Sequence, residues 1–156
     1  MGVRVQPERF SPGAELDAFT ANVPQSGAVA SFLGAVRGGS VTAMTLEHYP
    51  GMTERSLAAI EAEARTRWPL DDVLVIHRHG RLLPGEPIVL VCTASAHRAA
   101  AFEACNFLMD WLKTKAPFWK KEETTQGDAR WVEARMEDEA RATAWEKAES
   151  SASTKA

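Results

Sequence analysis

The spacing of apolar residues changes several times along the chain, and each change marks an element. Residues 3–6 alternate as a short strand, and Pro12-Gly13 introduces a short helix with Leu16 and Phe19 three apart. Residues 27–36 form an uncharged run of small, aliphatic and β-branched side chains, which predicts a largely buried strand. Arg37-Gly38-Gly39-Ser40 turns the chain, and 41–49 returns as a second strand until Pro50-Gly51 stops it. A helix is predicted over 53–67, capped by Thr53, with Leu57, Ile60, Ala64 and Trp68 at helical spacing and Pro69 beyond it. Strands are predicted over 73–79 and 88–95, joined across Leu83-Pro84-Gly85-Glu86, where Pro followed by Gly suits a type I or II turn.

The clearest helix is predicted over 97–115. Ala101, Cys105, Leu108 and Leu112 make one apolar stripe, Ser95 stands ready to cap the start, and Pro117 limits the end. Residues 118–124 and 130–135 flank Gly127-Asp128 and read as a hairpin. The last stretch is rich in Ala, Glu and Lys and reads as a fraying helix, with a disordered tail expected over 150–156. Helices between strand pairs predict an α+β fold, a mostly antiparallel sheet with helices packed on it, as a single domain over 1–149.

Composition adds limits. With 45% hydrophobic and 25% charged residues among 156, the chain has the make-up of one globular domain rather than a disordered one. The uncharged run at 27–36 is half of the ~20 residues that a membrane-spanning helix needs, so no membrane role is expected. Arg4, Glu8 and Arg9 leave no apolar stretch for an export signal, and Cys92 and Cys105 lie inside apolar segments as reduced, buried thiols. A cytoplasmic location is expected.

Charge is unevenly placed. The net charge is -3, yet four of the six lysines (Lys113, Lys115, Lys120 and Lys121) fall within nine positions. Between 97 and 121 five basic residues face two acids, whereas between 122 and 149 nine acids face four bases. A confined basic patch suits a small anion; no extended basic face offers itself to a nucleic acid. A solvated charge run would look the same.

Among candidate chemical groups, His77-x-His79 puts two imidazoles on one face of a strand, but no third ligand accompanies them, and no metal is expected. No Walker loop, GxGxxG, GxSxG or HExxH occurs, and no cofactor is expected. His97-Arg98 opens a helix, where free backbone N–H groups and the dipole favour an anion; the two residues form either a phosphate or carboxylate cradle or an ordinary exposed helix start. Lys113 and Lys120 bracket that helix's end and the following strand, with Phe118 and Trp119 as apolar walls. Desolvation and neighbouring cations can turn such a lysine into an acid or base, although Lys120 beside Glu122 is equally a surface charge pattern. Phe118, Lys120 and Glu122 share one strand face, Trp119 and Lys121 the other.

Six blocks in order then carry a resemblance: FLGAVR (32–37), LEHYPGM (46–52), IHRHGRLLPGE (76–86), SAHRAAAFEAC (95–105), DWLKTKAPFWKKE (110–122) and GDARWVEAR (127–135). Together they resemble the family of molybdopterin synthase catalytic (large) subunits, the MoaE family, over most of residues 3–145. The resemblance implies an α/β-hammerhead fold with a small added β-subdomain. It implies a sulfurtransferase of molybdenum cofactor biosynthesis that converts cyclic pyranopterin monophosphate to molybdopterin. Sulfur would come from the C-terminal Gly-Gly thiocarboxylate of a small ubiquitin-like partner, and the assembly would be a homodimer within a heterotetramer. By position, Lys113 and Lys120 become the catalytic groups. Phe32, Ala35, Val36, Arg37, His97, Arg98, Lys121, Glu122 and Arg135 become substrate-binding ones. An extra residue in Gly127-Asp128-Ala129-Arg130 departs from the family's pattern just before Arg135. The principal alternative is a non-catalytic scaffold for a ubiquitin-like tail; a small α+β RNA-binding module is a second, without the paired aromatic motif such modules use.

Geometry adds one expectation. A continuous helix from His97 to Lys113 would part them by about 24 Å, too far for both to hold one compact pterin. A broken helix, or a pocket shared across a two-fold dimer, resolves this, and the shared pocket is favoured.

Overall fold

A computed structural model describes residues 1–132 and 136–154. Its elements are β1 (Gly2–Gln6), α1 (Pro12–Ala21), β2 (Ala28–Ala35), β3 (Val41–His48), α2 (Met52–Arg67), β4 (Leu70–Arg78), β5 (Gly80–Leu82), β6 (Pro87–Ser95), α3 (Arg98–Thr114), β7 (Phe118–Thr124), β8 (Ala129–Val132) and α4 (Met136–Thr154). The fold is α+β, as predicted, but the strands divide into two four-stranded sheets, ordered β1-β4-β6-β2 and β5-β3-β7-β8. Every ladder is antiparallel except β1–β4.

The first sheet explains why β4 and β6 read as unbroken apolar runs: both of its faces are covered. Val73, Val75, Val89 and Val91 point to Leu57 and Ile60 of α2 and Leu108 and Leu112 of α3. Their neighbours Leu74, Ile76, Leu90 and Cys92 point the other way, to Phe19 and Val23 around α1. Each such buried aliphatic side chain contributes about 1.5–3 kcal/mol.

The second sheet stands at one end of the first, and five chain crossings join them. β2 leaves the first sheet at Ala35, β3 returns through α2 to β4, β4 leaves at Arg78, β6 enters at Pro87, and α3 passes into β7. The β4–β5 crossing turns at Gly80, whose φ of 91° favours glycine. The return uses Leu83-Pro84-Gly85-Glu86, a type II turn with Gly85 at φ 85° and a Glu86 N–H to Leu83 carbonyl bond of 3.0 Å. Strand β5, only three residues long, has no periodicity to betray it and was not expected from sequence.

Two expected caps are corrected. Gly51, not Thr53, caps α2, its N–H donating to the Glu54 carboxylate at 2.6 Å; Thr53 is wholly buried and donates to the Tyr49 carbonyl at 2.8 Å. Ser95 does not cap α3 either, because its hydroxyl donates to the Pro69 carbonyl at 2.8 Å and His97 takes the cap position with no side-chain bond. The final helix α4 packs on α3 through Trp145, whose indole N–H donates to Asp110 at 2.8 Å. Helical backbone continues past Ser150 to Thr154, in a run with neither Gly nor Pro to interrupt it.

Candidate active site

The strand registers sort the expected site residues into two groups. β2 runs against β6 with Ala28 opposite Ser95 and Ala35 opposite Pro87. Arg37, two residues beyond Ala35, therefore lies at the end where the sheets meet, and His97-Arg98, just after Ser95, at the opposite end. α3 runs unbroken from Arg98 to Thr114, so the two ends of that helix stand about 22 Å or more apart. A broken helix is excluded.

At the junction end, Val36 is pinned by a Val36 N–H to Glu86 carbonyl bond of 3.0 Å and a Gly85 N–H to Val36 carbonyl bond of 2.8 Å. Its side chain is buried with Met44, Leu46 and Leu82. With side chain and backbone both engaged, Val36 anchors the chain beside its exposed neighbour Arg37. Ala35 is exposed, next to a break in register between Gly34 and Ala35. Phe32, half exposed, lays its ring over Gly34: its Cε1 lies 3.2 Å from where a Cβ at 34 would sit.

Lys113, exposed in the last turn of α3, shares with Phe32 a cleft of about 530 Å³ that α4 flanks with Asp138, Arg141 and Trp145. Lys120 stands opposite Leu46 in the β3–β7 ladder, and its ammonium is 3.7 Å from the Glu122 carboxylate on the same face. Lys121 points the other way and lies 5.8 Å from the centre of the Trp131 ring, so the structure separates it from Lys120 and Glu122. Arg135 lies outside the described residues. Arg37, Lys113, Lys120 and Glu122 thus belong to one end of the protomer and His97 and Arg98 to the other, while Phe32, opposite Val91 midway along β2, meets Lys113 across the cleft.

The His97-Arg98 end has its own close approach. A Cβ on Gly27 would fall 2.3 Å from the carbonyl oxygen of Ala96, the residue that leads into the helix start. Gly27→Ala is expected to push that backbone aside at a cost of about 1–3 kcal/mol, read as a lower urea midpoint. Unchanged stability would show that the loop yields freely.

The two histidines singled out on sequence both join an aromatic cluster at the sheet junction. His77 stacks on Phe118 with centroids 3.8 Å apart and planes 16° apart, while His79 packs on His48 at 4.1 Å. Burial pushes the His77 imidazole down to about 4; the charges of Lys113, His48 and His79 act in the same direction, and its bond to the Arg78 carbonyl acts against it. Between its ordinary 6.5 and about 4 the unfolded chain binds a proton at His77 that the folded chain does not. Stability from this residue is therefore lost as pH falls through that window, with a slope of up to about 1.4 kcal/mol per pH unit. Urea midpoints measured across pH should show a shallower acid loss in His77→Phe than in the parent chain.

Cys105 also lines the cleft, but burial pushes its thiol up to about 11 and that of Cys92 up to about 12, so both stay protonated at neutral pH. Among the described residues no three His, Cys, Asp or Glu side chains gather as metal ligands. The α4 residues along the cleft were not foreseen: a helix of Ala, Glu and Lys carries no sign of what it covers.

A family model described as MoaE protein matches residues 5–115, which spans both Arg37 and the whole of α3. The chain belongs to the MoaE family. It is 58% identical over 150 residues to the molybdopterin synthase catalytic subunit of Pseudomonas aeruginosa, covering 94% of this chain and 99% of that one. A solved MoaE protein from Burkholderia ambifaria superposes with a TM-score of 0.79 at 53% identity, covering 92% of this chain and 97% of that one. The crystal structure of molybdopterin synthase from Staphylococcus aureus superposes with a TM-score of 0.74 at 30% identity, over 83% of this chain and 95% of that one. The family's α+β fold is the one described above.

Proposed function

We propose that this MoaE chain is the catalytic subunit of a molybdopterin synthase. It installs two sulfurs on cyclic pyranopterin monophosphate and takes them from the C-terminal thiocarboxylate of a small ubiquitin-like partner. Membership of the family across the segment that holds Arg37, His97, Arg98 and Lys113 carries the reading. Residues 1–149 act as one domain, in the cytoplasm, where free buried cysteines such as Cys92 and Cys105 persist.

Arg37 of one protomer and His97 and Arg98 of its dimer mate bind the substrate's phosphate, the guanidiniums offering paired N–H donors and the helix start its free N–H groups. Two thiocarboxylated partners act in turn, each sulfur attacking the pterin side chain to form one C–S bond. In one transfer the displaced phosphate-ester oxygen takes up negative charge, and in the other the oxygen of the neighbouring side-chain carbon leaves as water. Water then cleaves the acyl–sulfur link, so the partner leaves as an ordinary carboxylate. Both steps build anionic charge where a nearby ammonium offsets it or supplies a proton. Lys113 fills that role beside the partner's terminal glycine, and Lys120, steadied by Glu122, binds and polarises the substrate.

The 22 Å between the ends of α3 means that one protomer does not close its cradle on its own lysines. The His97-Arg98 cradle of one protomer therefore faces the Lys113-Lys120 end of its dimer mate, within a heterotetramer of two large and two small subunits. Incubation with thiocarboxylated partner and the cyclic pterin tests the function: the expected product carries a dithiolene, identified by mass. A stable complex without that product would favour a scaffold that only holds the ubiquitin-like tail.

A further inference from the structure

Lys113 and Lys120 stand on different elements, one ending a helix and the other within a strand, and three residues, Lys115-Ala116-Pro117, join those elements. What sets the distance between them is the packing of the first residue of β7, Phe118. Its backbone N–H bonds the Ala116 carbonyl at 2.7 Å, and its ring lies flat on His77 with His48 at 6.1 Å behind. His77 is itself held hard. It is 7% exposed, sits in β4 between Val5 of β1 and Val89 of β6, and places Nδ1 2.8 Å from the Arg78 carbonyl. A carbonyl only accepts, so Nδ1 carries the hydrogen and the ring is fixed in one orientation.

We infer that His77 is a positioning residue for the lysine end of the site: a flat ring wedged between β4 and Phe118 that fixes where β7, and with it Lys120, stands relative to Lys113. The wedge stays uncharged at neutral pH. The charged and titratable groups around it are Lys113 from α3, His48 from β3 and His79 from its own chain turn, and all three oppose a proton on its ring. A protonated His77 would add a cation near Lys113, whose work depends on its own proton affinity. A phenyl ring meets the same needs of shape and neutrality; a small side chain does not.

This role rests on the function proposed above, so its test has one arm that reads turnover and one that does not. In the complex with the thiocarboxylated partner, His77→Ala is expected to lower kcat by about 10–100-fold with KM for the pterin nearly unchanged, and His77→Phe to restore most of it. In 15N-lysine NMR of the full chain, the Lys113 and Lys120 ammonium signals should move in His77→Ala and return in His77→Phe. If His77→Ala loses stability alone, with turnover per folded molecule and both signals unmoved, His77 is only a core residue and the inference is overturned. Should the parent chain form no dithiolene, the functional reading fails, and the lysine signals still decide the role of His77.

Discussion

Lys113→Ala is expected to lower dithiolene formation by about 10²–10⁴-fold with fully thiocarboxylated partner, the range over which a positioned proton donor or acceptor acts. Folding should be largely spared, because Lys113 is exposed at the end of α3, where a cation near the helix C-terminus is worth about 0.3–1 kcal/mol. Loss of activity without loss of structure is therefore the expected pattern, measured as product mass against time beside thermal melts. Lys113→Arg separates two ways in which the lysine acts. An arginine keeps the positive charge but does not give up its proton near neutral pH. Substantial turnover in Lys113→Arg means that charge offset dominates; a rate as low as that of Lys113→Ala means that proton transfer does. Near-normal product formation in Lys113→Ala would remove Lys113 from the chemistry altogether.

What the sequence discloses about this protein depends on the range of the interaction involved. Elements with many periods of their own pattern were readable, among them α3 with its stripe of Ala101, Cys105, Leu108 and Leu112, all buried as expected. Strand β5 was not, because three residues hold no period and its strand character comes from pairing with Met44, Thr45 and Leu46. The caps failed for a related reason. Thr53 and Ser95 are good local capping residues, yet each found a carbonyl in its folded surroundings, at Tyr49 and Pro69, that the sequence does not rank. The division into two sheets is likewise a matter of where Gly80 and the Pro84-Gly85 turn send the chain.

The site followed the same rule. Single residues with a chemical signature, such as Arg37, Arg98, Lys113 and Lys120, could be named from family blocks, and strand alternation alone set Lys121 on the face away from Lys120. The part played by Val36 needed coordinates, since only the fold shows its backbone spent on Glu86 and Gly85. His77 lay in plain view as half of a histidine pair, but its partner Phe118 is 41 residues along the chain, and no local pattern joins them.

Co-expression of Arg98→Ala and Lys113→Ala subunits under two different tags, followed by selection for both, is expected to recover about half of the parent activity from two nearly inactive chains. The reasoning is geometric. α3 is one unbroken element with Arg98 in its first position and Lys113 in its last turn, and a helix of that length does not bend until its ends meet. In a two-fold dimer each site would draw its anion cradle from one protomer and its lysines from the other. The mixed dimer then holds one site with both parts damaged and one with both intact, so a single working site remains per dimer. Were each site contained within one protomer, every site in the mixed dimer would carry one lesion and nothing would be recovered. Doubly substituted Arg98→Ala/Lys113→Ala subunits paired with parent subunits supply the control: the shared arrangement leaves both sites with one lesion each and activity near zero, while the self-contained arrangement leaves one site whole. The two architectures thus predict opposite outcomes in both pairings, and the measurement separates them without any change to the substrate or the partner.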